Sequence, residues 1–385
     1  MLLAAILALA LQSTPAFDEN TPTAELTTLA EGGNIEAQSE LGLRLQLEWL
    51  NNGGDPQDES GLILLEQARY WLERAAEADD AMALNSLGTM YNQGMGVEYD
   101  PIRAENLFRR AIAAGDLAAV VNLASIQIYD DDPSNNQEAV DSLEALLATG
   151  NAAQIELVAS GFLGLAYTFA GGDVVQDYER GLELLEYADS TGEANAGVLF
   201  MLGRYHETGA GGADGGEAVS LEYFERAGRN GNGFAAWKAG MQHLNGWGTE
   251  VNQPEAFRWV RMAAELGNDQ GMISTAVMYA LGQGTDIDYG QSRYWYEQAA
   301  SLGNVHAMRA IGMMDVIGQG GPVNLPRGIA LLEMAASHGD RNAIMLLEQF
   351  DQPETPEFRE SVRAAGEAWM SRHGLTDADL YGGQE

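Results

Sequence analysis

The side chains best suited to proton transfer or metal ligation are five histidines, at positions 206, 243, 306, 338 and 373. No two of them have the i, i+4 spacing that sets two imidazoles on one helical face, and the H-E-x-x-H signature is missing. Cysteine is absent, which removes thiolate nucleophiles, thiolate metal sites and disulfides. Lys238 is the only lysine, so Schiff-base chemistry has a single candidate. Gly209-Ala210-Gly211-Gly212-Ala213-Asp214-Gly215-Gly216 has the glycine density of a phosphate loop, but no strand precedes it and it carries no lysine, so it reads as a flexible loop. Asp130-Asp131-Asp132, with Ser134, Asn135 and Asp141, partly imitates a calcium loop yet lacks the central glycine and the closing glutamate. Among 57 acidic residues no carboxylate pair singles itself out for acid–base work. The residues thus nominate no catalytic, cofactor or metal site, and the expectation is a protein without enzymatic activity and without a cofactor.

Charge and hydropathy narrow the class further. A formal charge of −37 argues against nucleic-acid binding, which needs clustered cations to replace counterions. The first 200 residues hold seven arginines and no lysine. An apolar run from Leu2 to Leu11, followed by Thr14-Pro15-Ala16 and the acidic Asp18-Glu19, has the length of a signal-peptide core and is too short to span a bilayer. The start lacks Lys or Arg, so the n-region is weak. Residues 1–16 are therefore expected to be a signal peptide, giving a periplasmic or secreted protein with no stable membrane insertion after its removal. The alternative is a protein anchored by an uncleaved N-terminus.

The elements that would position any site follow from a repeat. Ala235–Asn268, Gln270–Asn304 and His306–Asp340 recur at 36 residues and end in Ala263-Ala264-Glu265-Leu266-Gly267-Asn268, Ala299-Ala300-Ser301-Leu302-Gly303-Asn304 and Ala335-Ala336-Ser337-His338-Gly339-Asp340. A fixed period of this size denotes stacked supersecondary units. In the unit from Ala81 to Asp116, Leu87, Gly88 and Tyr91 lie on helix A, Gly94 ends it, and Asp100-Pro101 open helix B, which runs through Ala104, Phe108 and Ala111. Glycine accepts the left-handed backbone of a helix C-terminus, Asp caps the next N-terminus, and Pro fits the first helical turn. The small helix-A residue recurs at Gly42, Gly88, Ala124, Gly164, Gly203, Gly240, Ala276 and Gly312. The stop recurs at Gly94, Gly209, Gly246, Gly282 and Gly318; the cap recurs at Asp100, Asn135, Asp177, Asn252, Asp288 and Asn324. Eight helix pairs are expected, with an extra helix at Thr23–Gly32 and a lone one at Asn342–Phe350. Insertions at Asn51–Gly61 and Ala152–Gly161 should fall in loops or helix ends.

This pattern resembles the Sel1-like repeat, a relative of the tetratricopeptide repeat, over roughly Thr23–Phe350. It is sharpest in Ala81–Asp116 and Gly233–Asp340. Between Leu117 and Asn232 it weakens, with Gln127 and His206 in place of the helix-A tyrosine and Gly216 in place of the acidic cap. The resemblance implies an all-α, right-handed α-solenoid of about eight stacked antiparallel helix pairs over residues 17–352. Residues 353–385 would add a C-terminal capping helix and a loose tail. In that helix Phe358, Val362, Ala365 and Trp369 share one face and would cover the last repeat, or else dock a partner. Many bacterial members carry paired cysteines in each repeat, which this chain does not share.

The resemblance also implies that helix A lines a concave groove. By register the groove residues would be Phe200, Arg204, Phe234, Trp237, Met241, Leu244, Ile273, Val277, Arg309, Met313, Val316 and Ile317. Their equivalents Asn85, Thr89 and Asn92 are polar, so the groove should turn from hydrophilic to apolar along the chain. If the coil is tight, the same residues would instead pack between neighbouring repeats. The leading expectation is a non-enzymatic scaffold or adaptor of the bacterial cell envelope that binds a protein or peptide. The alternatives are a cell-wall-active hydrolase using acidic groove residues, or an acidic protein that binds ions or polycations.

Overall fold

Among the described residues nineteen α-helices, and no strand, follow one another. The computed structural model describes residues 17, 21–55, 58–129, 135–150, 153–169, 174–350 and 355–376. The expected signal peptide and the aspartate run 130–132 lie outside them. The chain divides into two compact units, residues 1–214 and 215–385.

The first unit begins with α1 (Thr23–Glu31) and continues through α2 (Ile35–Asn51), α3 (Glu59–Ala76), α4 (Ala81–Gln93), α5 (Pro101–Ala113), α6 (Ala118–Tyr129), α7 (Asn136–Ala148), α8 (Ala153–Phe169), α9 (Tyr178–Ala188) and α10 (Ala196–Thr208). The second comprises α11 (Gly216–Arg229), α12 (Gly233–Asn245), α13 (Gln253–Glu265), α14 (Asp269–Leu281), α15 (Tyr289–Ser301), α16 (Val305–Ile317), α17 (Leu325–Ser337), α18 (Arg341–Gln349) and α19 (Pro356–His373). Even-numbered helices from α2 to α16 are the A helices and odd-numbered ones from α3 to α17 the B helices.

The anticipated punctuation holds at most positions. Gly94, Gly209, Gly246, Gly282 and Gly318 end their helices in the left-handed region. Asp100, Asp177, Asn252, Asp288 and Asn324 each accept a hydrogen bond from the backbone N–H three residues on, supplying a partner to an orphan donor. Asn135 is the exception: its backbone is already helical, so its side chain makes no cap bond to α7. Of the Ala152–Gly161 insertion, residues 153–161 are absorbed as extra N-terminal turns of α8. The glycine-rich run is not a free loop either, because residues Ala210–Gly212 form a 3-10 turn. A Cβ on Gly211 would lie 2.3 Å from the Tyr178 carbonyl oxygen.

That last contact is one of a series. In five A–B loops the second glycine sits against the preceding B helix, where an added Cβ would strike Leu65 from Gly96, Tyr178 from Gly211, Glu217 from Gly248, Gln253 from Gly284 and Tyr289 from Gly320. From Gly284, which has φ +71°, the Gln253 carbonyl oxygen would be 2.1 Å away. At Gly211, Gly248, Gly284 and Gly320 side chains are excluded because two backbones meet, whereas at Gly96 the obstacle is the Leu65 side chain. On the helices themselves, the small residue seen in sequence does similar work: a Cβ on Gly88 would lie 2.6 Å from the Phe108 ring.

A helices of successive repeats touch one another, α2 with α4, α4 with α6, α6 with α8 and α8 with α10 in the first unit and α12 with α14 in the second. Successive B helices make no contact of similar extent. In the first unit, and between α12 and α14 in the second, the A side is therefore the tighter side of the stack. At the end of the second unit α19 packs along α17, burying Val362 and Trp369, while Ile344 and Met345 on α18 stay exposed.

Candidate functional site

Phe200 and Arg204 belong to α10 in the first unit, and the other ten predicted groove residues to α12, α14 and α16 in the second. Because the repeat is 36 residues, the ten fall mostly into rows that cross the three A helices. Trp237, Ile273 and Arg309 make one row, Met241, Val277 and Met313 a second, and Leu244 and Val316 flank Ala280 in a third. All of these are half-buried. Trp237 and Leu244 pack onto the core formed by Ala256, Val260 and Met278, while Ile273, Met313 and Val316 pack onto the core that runs from Ala264 to Met370. Phe234 and Ile317 are exposed at the margins.

The Trp237 indole is fixed on both sides. Its Nε1 donates to Ser274 Oγ on the next A helix at 3.0 Å, and its ring stands 5.3 Å from that of Phe234. Arg309 is committed as well, donating at 2.9 Å to Asp340, the residue that caps α18. Burial pushes the Asp340 carboxyl up, but the Ala343 amide and Arg309 outweigh it and hold the group below its ordinary range. Arg204 lies 3.4 Å from Glu207.

The polar stretch expected at the N-terminal end of the groove is corrected by the structure. Asn85 and Thr89 are buried in α4, and the Asn122 amide donates to Asn85 Oδ1 at 2.7 Å. The close approach of α4 to α6 closes these positions over, so they bridge repeats rather than meet solvent. Asn85–Asn122 and Trp237–Ser274 occupy the same place in their respective repeats.

A second periodic feature escaped the sequence reading. Three positions recur at equivalent places in most repeats: one from a B helix, the tyrosine position of the next A helix, and the third residue of the next B helix. The triplets are Glu73, Tyr91 and Arg103; Arg109, Gln127 and Glu138; Glu144, Tyr167 and Arg180; Glu225, His243 and Glu255; Arg261, Tyr279 and Gln291; and Glu297, Asp315 and Arg327. Arg103 lies 4.1 Å over the Tyr91 ring. Arg109 pairs with Glu138 at 2.6 Å, and Gln127 donates to the same carboxylate at 2.8 Å. Tyr167 donates to Glu144 at 2.6 Å; burial and that carboxylate together push the phenol up to about 12. Buried Asp315 is clamped by Arg293 and Arg327, each at 2.5 Å, with Glu297 3.3 Å from Arg327. At the Arg109, Glu144 and Asp315 junctions, ion pairs and hydrogen bonds of this kind join neighbouring helices. Their signal in the sequence is a recurrence of charged and polar residues at the same three positions of the period.

His243 is the member that bears on metal chemistry. It is buried, with Nε2 2.9 Å from Glu225 Oε1, and one ligand atom each from Glu225, His243 and Glu255 lies within 4.8 Å of the others. The spacing 225, 243, 255 matches no local metal motif because it spans three helices. His206 is buried, whereas His306 is exposed beside Asp340.

The array and its surface define an α-solenoid of stacked helix pairs, a scaffold class whose members generally bind protein partners. More narrowly, the chain belongs to the Sel1 repeat family, with repeats at residues 35–80, 81–116, 161–188, 198–232, 233–268, 270–304 and 305–340. The stretch 117–160 falls outside those matches, although α6 and α7 form a helix pair there. The fold is similar to the crystal structure of a Sel1 repeat protein from Oxalobacter formigenes, with 22% identity, 90% of this chain and 94% of that one covered, and a TM-score of 0.55. It is also similar to a protective antigen present in uropathogenic Escherichia coli strains displaying an SLR fold, at 18% identity over 99% of this chain and 93% of that one, with a TM-score of 0.37. No curated protein matches the chain.

Proposed function

We propose that this chain is a non-enzymatic scaffold that binds a protein or peptide segment along the A-helix face of its second unit. The observation that carries the reading is the set of aligned, half-buried apolar rows on α12, α14 and α16, edged by exposed Phe234 and Ile317. Half-buried aromatic and aliphatic side chains held by a rigid frame lose little freedom on binding, which suits them as anchors. The formal charge of −37 favours a partner segment that alternates apolar and basic residues. The apolar segment Leu2–Leu11 supports export to the cell envelope as part of the same reading. Among the described residues no helix is long and apolar enough to cross a membrane.

The test is affinity capture from a native envelope extract with intact protein, F234S, I317E and W237A, each checked by circular dichroism. Loss of one captured protein with F234S and I317E, under unchanged spectra, is the expected outcome. Capture unaffected by all three changes refutes the reading. A lowered melting temperature in W237A without loss of capture assigns Trp237 to inter-repeat packing instead.

A further inference from the structure

The polar junctions share a logic that one of them breaks. Five of the six contain at least one arginine: Arg103, Arg109, Arg180, Arg261 and Arg327. At Glu225, His243 and Glu255 the three equivalent positions hold two carboxylates and an imidazole. The Glu225 side chain comes from α11, His243 from α12 and Glu255 from α13. The two arginines nearby act from outside the triangle. Arg229 holds Glu225 Oε2 at 2.7 Å, and Arg258 bonds Glu255 Oε1, which also accepts from the Trp259 indole at 2.9 Å. These bonds fix both carboxylates from behind and leave Glu225 Oε1 on the His243 side, with Glu255 Oε2 not used by either donor. The imidazole is itself buried, and its Nδ1 has no protein partner.

We propose that Glu225, His243 and Glu255 form a binding site for a divalent metal ion of the zinc class. An imidazole nitrogen with two carboxylate oxygens is a donor set of borderline hardness, which prefers zinc and its neighbours to calcium or magnesium. The ligand atoms lie within 4.8 Å of one another; for zinc at about 2.0–2.2 Å the wider separations close in and the 2.9 Å contact of His243 with Glu225 opens to admit the ion, with water completing the shell. Arg229, Arg258 and Trp259 play the outer-shell part, orienting the ligands as hydrogen bonds to carboxylates do in metal sites. Bound metal supplies the cation that arginine provides at the other junctions, and it ties α11, α12 and α13 together.

The experiment uses the full chain without an affinity tag, stripped with chelator and titrated with zinc by calorimetry, with elemental analysis after desalting. One zinc per chain is expected, together with a rise in melting temperature of roughly 5 °C at a hundredfold excess over Kd. H243Y, which installs the residue found at position 279 of the next repeat, should weaken binding at least tenfold, as should E225Q and E255Q. H306A, removing an exposed histidine elsewhere, should leave affinity unchanged. A metal-free melting curve for each variant separates lost ligation from lost folding, and unchanged affinity in any two folded ligand variants overturns the site. So does the absence of zinc uptake, or calcium binding as tightly as zinc, which would mean an acidic cluster without imidazole coordination.

Discussion

The loop glycines that meet the preceding B helix can be tested by comparing two substitutions with one shared cost. Gly284 and Gly303 both have a positive φ, of 71° and 83°. Alanine at either site pays for the left-handed backbone, about 1–2 kcal/mol. It recovers a few tenths to ~1 kcal/mol from a less flexible unfolded chain. At Gly303 nothing lies within 4 Å of the added Cβ, so the balance ends there. At Gly284 the Cβ would stand 2.1 Å from the Gln253 carbonyl oxygen and 2.9 Å from the Pro254 nitrogen. Those atoms are backbone and cannot rotate aside, so α13 and the loop must separate, at an additional ~1–3 kcal/mol of overpacking. G284A should therefore be less stable than G303A by ~1–3 kcal/mol, measured as the difference in urea midpoints by circular dichroism with the slope m held common. Hydrogen exchange should place the extra loss in the first turn of α13. Equal destabilisation of the two variants would refute the claim that this glycine serves the contact between repeats and not merely the turn.

Two further outcomes follow from the C-terminal helix. Trp369 is 1% exposed and donates to Glu297 at 3.2 Å, so W369A should cost about 3–5 kcal/mol locally and make α19 the first site of limited proteolysis, while α12–α14 resist cleavage. Cleavage that begins in α13 would count against that localisation. His373 sits beside the Trp369 ring, Glu297, Arg372 and Arg327, and burial holds its pKa below the ordinary value of 6.5 against the pull of Glu297. The unfolded chain then binds the proton more readily, so this contribution is fully present above pH 6.5 and is lost as pH falls through the folded value. The melting-temperature advantage of the native chain over H373Q should shrink between roughly pH 7.5 and pH 5; an advantage that grows on acidification contradicts the assignment.

Much of the fold was legible because each repeat carries its own local punctuation. A glycine stop, an acidic cap and a small residue on helix A are decisions made within a few residues, as Gly282, Asp288 and Ala276 show. Asn135 misled because a cap also needs an extended backbone, which tertiary packing withheld. The surface was less legible. Register alone placed Asn85 in the groove, but whether a helix-A side chain is open depends on how near the next A helix lies, and α6 covers Asn85. The Glu225–His243–Glu255 triangle was invisible for a related reason. Its members come from three helices, and their proximity follows from stacking geometry rather than from any spacing read along the chain.

The unequal spacing of the helices gives each unit a mechanical character. In a bent beam the tightly packed side acts as the hinge line, while the opposite side opens and closes. Where A helices approach closely, as α12 and α14 do, while B helices are linked through long side-chain pairs such as Arg109–Glu138 and Glu297–Arg327, flexing a unit should move the B helices more than the A helices. Met241 and Val277, on the touching α12 and α14, would then keep their spacing while the outer surface stretches. Helix α19, gripping α17 and reaching Glu297 on α15, is a brace across that extensible side, and it stiffens the terminal repeats alone.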